Sequence, residues 1–184
     1  MTDNNDNNYL AMLNNPVINP PVQQQPLQPS LQSTAPCITL FPAAQQCQDK
    51  LQTNDLYLVS ETDAPWLNVA VPWSSDSLPS QRSELEQAGL LVRNTHVDRF
   101  DEDDDEENGF RIKTVDAFFE PLIKPGPQSK EYNRLLQQIK DVFENNVKVY
   151  LVGNRVITVL ILGLVQDESE QKALVGLQSE LVQT

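Results

Sequence analysis

The 184-residue chain is poor in the residues on which catalytic and metal chemistry depend, with two cysteines, one histidine and six glycines. Cys37 and Cys47 are too few for a disulfide framework, and their spacing matches no C-x-x-C metal or redox site. We read them as reduced thiols in a cytoplasmic protein, with a local bridge between them as the alternative. His96 is the sole candidate for histidine-dependent catalysis. Asp98 would share its strand face, but no local motif supplies a serine or cysteine nucleophile, so a surface or strand-edge histidine is the better reading. A His/Cys metal site fails on number alone, short of ligands shared between chains, and no cofactor is expected. The scattered glycines form no phosphate-cradling loop. Carboxylates are abundant, but abundance is not placement. The composition points away from an enzyme.

Long apolar runs are missing too. The longest is about ten residues, against the roughly 20 a helix needs to cross a bilayer. The N-terminal stretch shows neither a basic n-region nor an apolar h-region, so no secretory signal is expected. Basic residues are in deficit, 13 against 26 acids for a net charge of −13. Direct nucleic-acid binding is therefore disfavoured, because phosphate contacts need clustered Lys and Arg. The same balance would suit a basic protein partner.

What the chain does have is a central apolar run, Val156-Ile-Thr-Val-Leu-Ile-Leu-Gly-Leu-Val165. A strand apolar at odd and even positions must be covered on both faces, since successive side chains point to opposite sides of the sheet. Val147–Val152 precedes it across a turn in which Gly153 and Asn154 both tolerate positive φ. A polar loop, Gln166–Gln171, leads to a last strand over Leu174–Val182. Ahead of this hairpin, Tyr132, Leu135, Leu136, Ile139, Val142 and Phe143 make one stripe of a long helix from Ser129, stopped by Asn145-Asn146.

Residues 1–36 contain no Lys, Arg, Glu, His or Gly and are dominated by Asn, Gln and Pro. They read as a disordered tail, with residues 37–184 as the folded domain. A first helix is predicted over Leu40–Leu51, with Phe41, Ala44, Cys47, Gln48 and Leu51 on one face. Two strands, Asp55–Val59 and Trp66–Val71, read as a hairpin around the polar turn Ser60–Pro65. Trp66 and Trp73 read as core or sheet-edge packing. Further elements are a short helix over Ser80–Ala88 stopped by Gly89, a strand over Leu90–Val97, and a strand over Phe110–Val115. Asp116 is placed to cap a short helix, Ala117–Glu120. The acidic run Asp101–Glu107 is not a calcium loop, because Glu106 stands where glycine is needed and Ile112 where glutamate is needed. It reads as a solvated loop. Helix, mainly antiparallel sheet and helix in this order predict an α/β/α sandwich.

Three stretches carry a resemblance: Leu58-Val-Ser-Glu-Thr-Asp-Ala-Pro-Trp66, Phe110-Arg-Ile-Lys-Thr-Val-Asp-Ala-Phe-Phe119, and Val149-Tyr-Leu-Val-Gly153 continued by Leu174-Val-Gly-Leu and Leu181-Val-Gln-Thr184. Together, over roughly residues 40–184, they resemble the nuclease A inhibitor family. The resemblance implies an α/β/α sandwich that blocks the active site of a magnesium-dependent, sugar-non-specific endonuclease and is a monomer when free. It implies that Thr184 reaches the catalytic magnesium of the nuclease and that Glu61 faces basic active-site residues. Gln128 matches a glutamine the family uses in nuclease contact. The loop Ile123–Ser129 has no tryptophan where the family carries one, and Gln183 stands where the family favours an acid. An adaptor or regulator of the same fold that has lost nuclease binding is the alternative.

Overall fold

Strand β6, Val156–Gln166, is the middle strand of a five-stranded antiparallel sheet whose order is β3 (Leu67–Trp73), β7 (Lys172–Val182), β6, β5 (Val147–Val152) and β4 (Phe110–Lys113). The central position follows from its composition, because only a strand covered on both faces can hold so many apolar residues. The structure, a computed structural model, describes residues 40–53, 55–91 and 109–182. The tail 1–36, Cys37, His96, Asp98, the acidic run 101–107, Gln183 and Thr184 lie outside the described residues.

Alternation along β6 divides the core. Ile157, Val159 and Ile161 join a cluster with the helices α1 (Pro42–Lys50), α3 (Val115–Phe119) and α4 (Ser129–Phe143). Leu160, Leu162 and Leu164 join a second cluster with Leu85 of α2 (Arg82–Gln87) and with Leu78 and Leu90. The fold is mixed α/β, as expected. The stripe on α4 is buried at Tyr132, Leu135, Leu136, Ile139 and Phe143, and Ala44 of α1 is fully buried. Trp66 is buried edge-on against Phe118, and the indole of half-buried Trp73 donates to Ser77 O at 2.8 Å. Burial pushes the Cys47 thiol above its ordinary value, with Lys50 opposing, so at neutral pH it is a protonated, weakly reactive group.

Four local readings are corrected. The predicted hairpin over Leu56–Val71 is divided in two. Tyr57–Leu58 (β1) pairs only with Ala64–Pro65 (β2), while Leu67–Trp73 pairs with β7 over seven residues. The longer partner wins, because each added pair satisfies backbone groups the short hairpin cannot. Thr114, not Asp116, caps α3, its Oγ1 accepting from Ala117 N–H at 3.3 Å. Asp116 lies inside the first turn and pairs with Lys140. In the β5–β6 turn only Gly153 takes positive φ, and its missing Cβ leaves room for the Val156 carbonyl. Of the predicted strand Leu90–Val97 only residues 90 and 91 are described, and neither is in a strand. Gly89 has φ +75°, and the Leu90 N–H bonds Leu85 O at 3.0 Å, a Schellman cap that draws Leu90 into the core.

Gly163 stands within the apolar run of β6, and the fold accounts for it. A Cβ there would lie 2.1 Å from Phe143 Cδ1, so the glycine is the seat of the α4 phenyl ring. Gly163→Ala is expected to destabilise by about 1–3 kcal/mol through overpacking. Adding Phe143→Leu should recover part of that loss. Urea midpoints of the two single variants and the double variant check it, and strict additivity would refute the contact.

The start of α2 supplies a pH dependence. Glu84 accepts from Ser80 N–H at 2.6 Å and Gln81 N–H at 2.9 Å, and these bonds hold its carboxyl below the ordinary carboxylate range. A carboxylate lowered by folding contributes stability above its unfolded pKa and loses it as pH falls through the folded value. Glu84→Gln should therefore flatten the acid side of the Tm profile. Thermal unfolding from about pH 7 to about pH 3 tests this, with parallel profiles counting against the cap.

Candidate functional site

The β1–β2 hairpin has only two residue pairs, too few to be stable unsupported. Among the described residues, hydrogen bonds from two sides hold it from outside. On one side stands the N-terminal end of α4. Gln128 Oε1 accepts from Tyr57 N–H at 3.2 Å, and the Tyr132 hydroxyl donates to Tyr57 O at 2.6 Å. Both backbone groups of Tyr57 are thus satisfied by α4 and its N-cap residue.

On the other side stands β7. Ser179, buried at 3 % exposure, donates its hydroxyl to Ala64 O at 3.2 Å. At the turn, Ser60 Oγ donates to Thr62 O at 2.8 Å and accepts from Val182 N–H at 3.2 Å. Glu61 follows Ser60 directly and is exposed, as is Asp63. The hairpin is therefore bonded to the N-cap of α4 at its base and to the end of β7 at its turn. Gln128 belongs to the first contact and Glu61 lies beside the second, and Val182 precedes Thr184 by two residues. Gln128 is half-buried, with its carbonyl engaged by Tyr57.

The environment is acidic on its surface and dry beneath. Burial pushes the Tyr132 phenol above its ordinary range, with a smaller opposing effect from the Trp66 indole and a further rise from the charge of Asp63. The phenol is neutral and acts as a fixed donor. Trp66 Nε1 has no hydrogen-bond partner among the described residues; it biases the phenol without the geometry of a full bond. Tyr57 and Val59 remain 41 % and 55 % exposed, an apolar flank beside the acidic turn. Among the described residues no group of three or more His, Cys, Asp or Glu side chains could hold a metal ion.

Ser60, Ser179 and Tyr132 were not singled out as site residues from the sequence. A signal existed for two of them. A tyrosine in a buried helix stripe and a serine in an apolar strand each need a partner for the hydroxyl. Tyr132→Phe leaves Tyr57 O without its donor and should cost about 1–2 kcal/mol. Urea denaturation would show this loss, and amide exchange should accelerate at Tyr57 and Leu58 before the β6 amides. Equal acceleration throughout the sheet would count against a local clamp.

Comparison with known proteins adds to this geometry. Residues 45–184 match the family model described as nuclease A inhibitor-like protein. No curated protein matches the chain. The family match takes in most of α1, the hairpin, the whole sheet and α4, and on that extent the chain belongs to the nuclease A inhibitor-like family.

Proposed function

We propose that this protein inhibits a magnesium-dependent endonuclease of low sequence and sugar specificity by occupying its active site. The family match over residues 45–184 carries the reading. In it, residues 37–184 form an α/β/α sandwich that acts as a monomer in the cytoplasm, and residues 1–36 are an appended tail.

A phosphodiester-cleaving site presents a hard divalent cation and positive side chains to an anionic, oxygen-rich substrate. Glu61 supplies a carboxylate to Arg or Lys in the place of a phosphate. In this reading Thr184 offers hydroxyl and carboxylate oxygens to the nuclease's magnesium and presents no scissile bond. Gln128 adds a polar contact through its amide nitrogen. The contact of Ser60 with Val182 supports this reading, since it brings the Glu61 turn and the last strand together.

Titrating the protein into such a nuclease with DNA as substrate tests the proposal. Glu61→Gln should weaken inhibition roughly tenfold to hundredfold, the range for a hydrogen bond to a charged group. Extension beyond Thr184 should weaken it at least as much. Full inhibition by an extended chain would remove Thr184 from the mechanism, and no inhibition at micromolar protein would remove the function.

A second reading, an adaptor of the same fold, is favoured by the absence of tryptophan from the loop Ile123–Ser129. A pull-down whose partners depend on residues 1–36 or 101–107 and ignore loss of Thr184 would select it.

A further inference from the structure

The hydroxyl of Ser60 lies between two segments that the proposed inhibition uses together. It donates to Thr62 O within the turn and accepts from Val182 N–H at the end of β7. One oxygen therefore fixes the shape of the Glu61 turn and its distance from the last strand. Gln128 and Tyr132 hold Tyr57 at the other end of β1, and Ser179 holds Ala64 beyond the turn. We propose that Ser60 is a positioning residue that couples the Glu61 turn to the C-terminal strand, so that both are presented to the partner as one rigid surface.

The physical basis is the entropy of binding. A two-pair hairpin whose turn moved independently of β7 would have to be ordered when the nuclease docks, and that ordering subtracts from affinity. With Ser60 in place the ordering is complete in the free protein. The inference rests on the inhibitor reading for its purpose, while the latch itself is observable without any nuclease.

The experiment compares wild type, Ser60→Ala and Ser60→Thr. In the free proteins, amide exchange at Val182 should speed up about tenfold in Ser60→Ala, as expected for loss of one hydrogen bond, and return towards wild type in Ser60→Thr. Exchange in the middle of β6 and the urea midpoint should barely move. In nuclease titrations Ser60→Ala should weaken inhibition roughly tenfold, and Glu61→Gln should cost less in that background than in wild type. A merely structural serine would give additive losses and no threonine rescue, which would overturn the proposal. Unchanged Val182 exchange in Ser60→Ala, with wild-type inhibition intact, also overturns the latch. A wild-type protein that fails to inhibit overturns the inhibitor reading, and with it the purpose assigned to Ser60, whatever the exchange data show.

Discussion

Everything in this fold depends on β6 being buried on both faces. Its odd-numbered and even-numbered side chains enter two separate clusters, so neither face can be left to solvent without exposing several apolar residues at once. A one-residue slip would exchange the two sets and bring Gly163 out from beneath the Phe143 ring. That steric constraint fixes the register. The pairing with β7 runs unbroken from Gln166–Lys172 to Val156–Val182, and the position of Val182 is inherited from it. The end of the last strand is therefore placed by the same register that orders the core.

This origin explains which features could be read from the amino acids. The long elements announce themselves through period: an apolar run for β6, a helical stripe for α4 and a glycine stop after α2. The misread features are those decided by competition between distant segments. Trp66–Val71 has strand composition, but nothing in it says that β7 is a better partner than Asp55–Val59. Thr114 and Asp116 are both competent caps. The choice went to the residue immediately ahead of Val115, because Val115 is itself buried and had to enter the helix.

The site was legible in a different measure. Glu61 and Gln128 are proposed through motif resemblance, and it assigns no role to Tyr132 and Ser60, which bond the hairpin to α4 and β7. A serine in a polar turn has many satisfactory partners, including water. Only the tertiary structure shows that Ser60 binds Val182, 122 residues away in sequence. Distance along the chain hides the contact. Tyr132 was assigned to packing for the same reason: its ring belongs to the core cluster, and its hydroxyl belongs to the hairpin.

The hairpin's size then gives the arrangement its logic. Apolar packing anchors so small an element only through Leu58 and Ala64, because burying its turn as well would withdraw Glu61 from any partner. Hydrogen bonds avoid that conflict, because they are directional and act at the base of the hairpin and at one side of its turn. Leu58 and Ala64 point into the protein and are buried, while Glu61 and Asp63 stay exposed. An exposed acid on an unsupported loop would lose affinity to conformational entropy. An exposed acid on a hairpin braced at its base by α4 and at its turn by β7 keeps its charge outside and its backbone held, the combination that the proposed phosphate mimicry requires.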